Sequence, residues 1–459
     1  MAVLSTEQLL LLNNLMYMTS DQPFSEITAY EDGRSVGNII ASIDMNSIDV
    51  KENYGSYMTG QDWINIINAI KADDTLMNVR LVSTNVDDYL DGGGGGVSAL
   101  FVTESNEAVV TFRGTALDEW KDDFTAGAAV SSAQQENALT WYQSLDLDDY
   151  DSITVTGHSK GGNKAKYITI LDNSVDRCVS FDGQGFSDEF MEEYANRIAL
   201  NEGKIENHNV DCDYVNILLN DIGTTTYYES QDIGNPLEFH CPNSFFDFGE
   251  DGSVTLHETE QNPIMQKIDQ ALNSILRTLS DDEKEQFLDT FGEIFQVAMG
   301  GSGRSIVSIL SDVSDRKLLA YVLILLGLYV ECNLLDASVV GYVLSYFDID
   351  LTAWIPDGSD IQVNSLSVGA EIAFAVNPAI MLQIEEELVN QNAELEGYAE
   401  RVEKVGKKLK GIYLTLGWAV SSQANKISKY GTFCTKMADA LDNVAEQYQK
   451  TEQLCMIEQ

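Results

Sequence analysis

Residues 151–172 read DSITVTGHSKGGNKAKYITILD. A short apolar run, Ile153 and Val155, ends in Gly157-His158-Ser159-Lys160-Gly161, and a helix-compatible segment follows. Strand, tight turn and helix, with G-x-S-x-G at the turn, is the setting of a nucleophile elbow. Glycines flank the serine because a sharp turn brings backbone close around a strained residue. Such a turn lifts a hydroxyl to the top of a sheet and aims the next backbone N–H at the same spot. The stretch therefore predicts a nucleophile at Ser159.

Outward from the elbow, Glu107–Phe112 reads as an apolar strand leading into Arg113-Gly114-Thr115. Residues 78–83 and 98–103 read as earlier strands, with the glycine run 92–96 as a flexible connection. Residues 5–17 read as an amphipathic helix capped by Ser5 or Thr6. Residues 138–145 read as a helix, and Arg177–Phe181 and 214–220 as later strands. Strands separated by helical stretches predict a mostly parallel α/β sheet. Asp281–Ala298, with Ser280 as its cap, and 305–330 read as helices that follow the sheet.

The chain has 459 residues, enough for two or three domains, and a formal net charge of −46. An acidic surface of this kind repels phosphate backbones, so nucleic acid is not expected as a partner. Residues 383–459 are close to charge-balanced, so almost all of the acidity lies ahead of them, and the two parts read as different modules. Six cysteines (Cys178, Cys212, Cys241, Cys332, Cys434, Cys455) are scattered without a C-x-x-C pair. Neither a zinc site nor a disulfide framework is indicated, and no metal or cofactor is expected. No Lys or Arg precedes Arg34, so a cleavable secretory signal is not expected. The apolar run 318–330 is short for a spanning helix and reads as a buried one, which limits any membrane contact to the interface.

The last module has a clear rhythm. Ile384, Leu388, Leu395, Tyr398, Val402, Val405, Leu409, Ile412 and Leu416 follow alternating three- and four-residue steps, missing only the place held by Gln391. After Gly417-Trp418 the rhythm restarts at Ile427, Tyr430, Cys434, Met437, Leu441, Val444 and Tyr448. Two heptad segments joined by a short turn predict an all-α antiparallel helical hairpin whose strip needs a partner.

A serine hydroxyl is a poor nucleophile until a base takes its proton. The chain has four histidines. His158 lies inside the elbow, beside the serine and wrongly directed. His208 sits in a polar stretch read as a loop. His240 fits the order serine, acid, histidine best, and His257 comes next. Two aspartates follow predicted strands, where ligands collect in such sheets. Asp221 follows 214–220 and is preferred; Asp182 follows Arg177–Phe181 and is the alternative. The acid would orient the imidazole. For the developing oxyanion, the Lys160 N–H follows the nucleophile, and Thr115 offers an N–H and a hydroxyl from the loop after the earlier strand. Arg113 could hold that loop through Asp122 or Asp123.

The sequence Thr111-Phe112-Arg113-Gly114-Thr115, then Trp120-x-x-Asp123, then VTGHSKGGNKA, resembles the class 3 lipases. In that family the Phe-Arg-Gly-Thr/Ser segment leads into the oxyanion hole, and Gly-His-Ser-Leu-Gly-Gly carries the nucleophile. Here Lys160 replaces the usual leucine. With Gly161-Gly162-Asn163 and SFDGQGF at 180–186, the chain looks closer to a bacterial lipase-like family. The Asp-x-Val-Pro of class 3 lipases is absent at Asp221-Ile222-Gly223. The resemblance implies an α/β-hydrolase fold and a serine esterase or lipase acting on acyl esters of lipids.

The hairpin resembles the small Trp-x-Gly substrates of type VII secretion. Trp418 stands at the turn, with Val420 where glycine is usual, and Tyr448-x-x-x-Glu452 resembles the export signal. The resemblance implies a small helical partner protein on the hairpin and a secreted lipase effector. The rival expectations are a cytoplasmic esterase with an oligomerisation hairpin, or a non-catalytic binding protein on a hydrolase scaffold. The expected organisation is a hydrolase domain at 1–265, its helical extension at 266–347, a connecting segment at 348–377 and the hairpin at 378–459. If the hairpin carries the export signal, Tyr448→Ala should leave the protein inside the cell. Immunoblotting of culture medium against cell extract measures this, and unaltered export would remove the signal from Tyr448.

Overall fold

In a computed structural model, the described residues are 3–322 without 31–32, 56–57, 87–95, 115–129, 231–235, 250, 299–305, 316 and 320. Thr115, Asp122, Asp123 and most of the glycine loop and of the 318–330 run lie outside them. So does the C-terminal hairpin with Trp418, Tyr448 and Glu452.

The helices are α1 (Thr6–Leu15), α2 (Val36–Ala41), α3 (Gly60–Ala72), α4 (Asp74–Asn78), α5 (Ala133–Ser144), α6 (Lys160–Leu171), α7 (Asp188–Glu193), α8 (Ala195–Asn201), α9 (Pro263–Thr278), α10 (Asp281–Ala298) and α11 (Ile306–Asp312). The strands are β1 (Arg80–Val86), β2 (Val97–Val102), β3 (Glu107–Phe112), β4 (Ser152–His158), β5 (Arg177–Phe181), β6 (Ile205–Val210), β7 (Thr224–Tyr228), β8 (Asp247–Phe248), β9 (Val254–Thr255) and β10 (Glu258–Thr259). Eight of these strands form one sheet in the order β1-β2-β3-β4-β5-β6-β7-β10. β3 to β7 run parallel, while β1, β2 and β10 pair antiparallel at the two sides. The protein is a mixed α/β protein with a mostly parallel sheet, as the alternation of strands and helices predicts.

Successive residues of a strand point to opposite faces, and here each face has its own cover. Phe101, Val109, Val179 and Phe181 pack with the helices α1 to α4. Leu100, Val110, Val155 and Cys178 pack with α5, α6 and the α7–α8 region. Strands buried on both faces lose polar alternation, so β2 and β3 are apolar almost throughout.

Helix α1 differs from the expected amphipathic helix. Leu9 through Leu15 are all buried, so it is a core element covered on nearly every side from its second turn onward. Ser5 caps it in a reciprocal capping box with Gln8. Its two asparagines are held by the structure around them. Asn13 Nδ2 donates to Leu9 O and Thr156 Oγ1, and Asn14 Nδ2 donates to Leu10 O and Pro242 O. The segment before the helix is clamped as well. The buried Glu107 carboxylate accepts from Leu4 N–H and Thr154 Oγ1, and Arg177 Nη1 donates to Leu4 O.

Two strand expectations fail together. Residues 214–220 form turns rather than a strand, although Tyr214, Val215, Ile217 and Leu218 are buried. Their hydrophobicity serves packing and not a ladder. The strands there are β6, sequence IENHNV, and β7, sequence TTTYY. The polar side chains of β6 find partners across the sheet: Asn207 Nδ2 donates to Ile222 O, and His208 Nδ1 bonds Tyr228 Oη. Helix α10 occupies Asp281–Ala298 as expected, whereas the expected helix from 305 is interrupted at Val313–Asp315. Among the described residues no helix is long and apolar enough to cross a membrane.

Arg177 at the start of β5 forks onto Glu206 of β6, with Nε on Oε1 and Nη2 on Oε2, each at 2.9 Å. His208 and this arginine pull the Glu206 carboxyl down from 4.5 to about 2. The native state thus holds the charged form, and the resulting stabilisation exists above pH 4.5 and disappears as pH falls toward 2. Glu206→Gln should flatten that part of the acid-induced fall in melting temperature. Differential scanning fluorimetry of both proteins across this range tests the point.

Candidate active site

Strand register brings the carboxyl ends of β3 to β6 side by side. Phe112 pairs with Gly157, His158 with Phe181, and Phe181 with His208. What lies just beyond those ends shares one rim: Gly114, Ser159, Asp182 and the loop after Val210.

Ser159 sits between β4 and α6 with φ 60° and ψ −130°, a backbone conformation that L residues rarely adopt. Its N–H donates to Phe181 O at 2.9 Å, and Asn163 N–H returns to its carbonyl. The flanking glycines are required by contact. A Cβ on Gly161 would lie 1.9 Å from Phe112 O, and one on Gly157 would lie 2.1 Å from the Gly161 carbonyl carbon. Beyond the elbow, Asn163 Nδ2 donates to Gly185 O while its Oδ1 accepts from Gln135 Nε2, tying α6 to the exit of β5. Helix α6 starts at Lys160, so its first N–H groups lack intrahelical partners and mark the positive end of the helix dipole.

His240 closes the 3-10 turn Pro236–His240. Its Nε2 lies 2.8 Å from Ser159 Oγ, and its Nδ1 lies 2.6 Å from Asp213 Oδ2. Asp213 Oδ1 accepts from the N–H groups of Val215 and Asn216 at 2.8 and 2.7 Å. All three side chains are buried. The contacts form a continuous relay from carboxylate to imidazole to hydroxyl, and only its central and last members were anticipated from sequence.

The acid on His240 is Asp213, and neither Asp221 nor Asp182. Asp221 pairs at 2.6 Å with Lys166 Nζ, a fully buried cation that also donates to Gly183 O. Its other oxygen accepts from Thr225 Oγ1. It closes β7 onto α6 and does not reach the imidazole. Asp182 lies closer to the relay, with a carboxylate oxygen within 4.8 Å of His240, but its hydrogen bonds go elsewhere. Its Oδ1 accepts from Val210 N–H and Asn216 Nδ2, so it braces the loop that carries Asp213. Its Oδ2 is buried without a partner. Burial, and then the Asp213 carboxylate, push the Asp182 carboxyl well above its usual range, which favours its neutral form. Asp213 follows β6, whose polar sequence predicts a loop, so no predicted strand end points to it.

The remaining histidines separate by environment. His257 is half exposed and paired with Asp247 at 3.1 Å. His208 lies within β6. His158 is buried beneath the relay, its ring 4.8 Å from that of His240, with Nδ1 2.7 Å from Tyr17 Oη. Burial and then the neighbouring His240 hold its pKa well below 6.5, so it stays neutral. His158, Asp182 and His240 bring one ligating atom each within 4.8 Å of one another. Both ring nitrogens of His240 are already engaged by Ser159 and Asp213, so this group reads as the floor of the relay.

Residues 96–293 match the Mbeg1-like family model, a lipase-like family. This match and the mostly parallel sheet fit a lipase-like α/β fold. The matched segment contains Ser159, Asp213 and His240, and it leaves out α1. No curated protein matches the chain.

Holding Asp182 neutral costs the native state stability as pH rises above 3.8, because the unfolded carboxyl is then free to ionise. Asp182→Asn keeps the acceptor toward Val210 and Asn216 and removes that cost. Its stability relative to the parent protein should therefore rise with pH. Urea unfolding at a series of pH values measures the difference, and a gap that shrinks with pH would contradict a neutral Asp182.

Proposed function

We propose that this protein is a serine hydrolase that cleaves acyl esters of lipids. The observation that supports it most is the relay Asp213–His240–Ser159, with hydrogen bonds of 2.6 and 2.8 Å at the end of a parallel sheet. The lipase-like family match points to the same chemistry.

In the proposed reaction, Ser159 Oγ attacks the ester carbonyl as His240 Nε2 takes its proton. Asp213 accepts from Nδ1–H, fixing the tautomer and stabilising the imidazolium. The tetrahedral oxyanion develops beside the Lys160 N–H at the start of α6, where the helix dipole favours negative charge. Thr115 is the proposed source of a second donor. His240 then returns the proton to the leaving alcohol, which leaves an acyl group on Ser159. A water, deprotonated by the same imidazole, attacks the acyl carbon; the acyl C–Oγ bond then breaks, the imidazolium returns the proton to Ser159 Oγ, and the carboxylic acid departs. Delivery by the C-terminal hairpin, with Tyr448 and Glu452 as signal and a small helical protein as partner, is the part of the proposal that rests on sequence alone.

Ser159→Ala should abolish both hydrolysis of p-nitrophenyl butyrate and labelling by a fluorophosphonate probe; persistent labelling would sink the assignment. Asp213→Asn should lower kcat by about 10⁴-fold, as loss of the orienting acid does in other triads. Asp221→Asn should instead lower the melting temperature, because it strips a buried lysine of its partner, and leave kcat of the folded protein near the parent value.

A further inference from the structure

Resting on the hydrolase reading, we propose that Tyr17 is a positioning residue: its hydroxyl holds the Gly114 turn against Ser159 from a helix outside the family-matched segment. Tyr17 follows the last turn of α1, and its own N–H donates to Asn14 O, so the ring is fixed to that helix. Its Oη accepts from Gly114 N–H at 3.2 Å and lies 2.7 Å from His158 Nδ1. One buried oxygen thus joins the turn after β3 to the last residue of β4, immediately before the nucleophile.

The fit around that oxygen is close. A Cβ on Gly114 would meet Tyr17 Oη at 2.5 Å, His158 O at 2.8 Å and Ser159 Cβ at 2.8 Å. The turn at Gly114 is thus packed between the hydroxyl and the nucleophile, with no room for a side chain there. On its other side Arg113 N–H donates to Val97 O, so the turn is held from two directions. The Tyr17 ring meets the His158 ring edge-on at 5.5 Å, which fixes the hydroxyl's direction.

The helix behind Tyr17 is suited to such a load. α1 is bound to the sheet through Asn13 and Thr156, to the loop after His240 through Asn14 and Pro242 O, and to β3 through Leu4 and Glu107. These contacts anchor α1 to the sheet and to the loop after His240, so Tyr17 stands on a fixed base. His158 is neutral, so the Tyr17 contact adds no charge beneath His240. A small displacement of groups around a reacting centre costs rate even when substrate still binds.

The full-length protein carries the test. Tyr17→Phe removes one oxygen and should lower kcat on p-nitrophenyl butyrate by about 10- to 100-fold, with little change in KM. Affinity for an alkyl boronic acid, which forms a tetrahedral adduct on the serine, should fall in parallel with kcat/KM. Asn13→Val, in the same helix but bonded to Thr156 Oγ1 and not to the turn, is the control for loosening. It should lower the melting temperature and leave kcat unchanged. A Tyr17→Phe protein with parental kcat, or one that loses no more rate than Asn13→Val, would overturn the role. Should Tyr17→Phe not fold, 3-fluorotyrosine at position 17 keeps the shape and weakens the acceptor. A smaller fall in kcat at an unchanged melting temperature supports the role, and an unchanged kcat overturns it. A parent protein inert toward both the ester and a fluorophosphonate would overturn the hydrolase reading itself, and the positioning role with it.

Discussion

The close approach of α6 to the ends of β3 and β4 is the constraint on which the site depends. Gly161 lies against the Phe112 carbonyl and Gly157 against Gly161, at separations that admit no side chain. Backbone therefore packs on backbone, and the residue between them is forced to φ 60°. Such strain persists only where the surroundings over-determine it. Here they do: Phe181 O takes the Ser159 N–H, and two apolar layers hold the sheet and helix in place.

Around that elbow the structure sorts three aspartates by environment. Asp213 receives two backbone N–H groups and an imidazole, which suits a charged carboxylate. Asp182 shares Asn216 with the same loop, but burial and the neighbouring charge keep it neutral. Asp221 neutralises a lysine that would otherwise be an isolated buried cation. The three lie in one short region of sequence and differ only in which partners the fold supplies.

Much of the site could be read from the chain because its constraints are local. The elbow needs glycines at fixed offsets from one serine, and that spacing survives in a linear string. His240 was legible as the first choice because there are only four histidines: His158 lies inside the elbow, His208 in a polar stretch, and His257 comes second. Asp213 was not legible. The run YVNILL looked like a strand because it is apolar, yet Tyr214 and Leu218 are buried in a turn-rich loop. The real strand, IENHNV, looked like a loop because it is polar, and its asparagine and histidine are satisfied only by residues beyond it, at Ile222 and Tyr228. Tyr17 left no sequence signal at all: its partners lie 97 and 141 residues away.

By itself the sequence determined the α/β class and the strained serine, and ranked His240 ahead of His257 as its partner. Periodicity, glycine spacing and residue scarcity are properties of short stretches, and they are visible without a fold. Only the tertiary structure decided which carboxylate meets the imidazole and that a tyrosine from the first helix reaches the turn beside the nucleophile. Those choices depend on strand register and on layers packed from distant segments. A polar side chain in a polar stretch gives no hint of whether water or a buried partner will satisfy it.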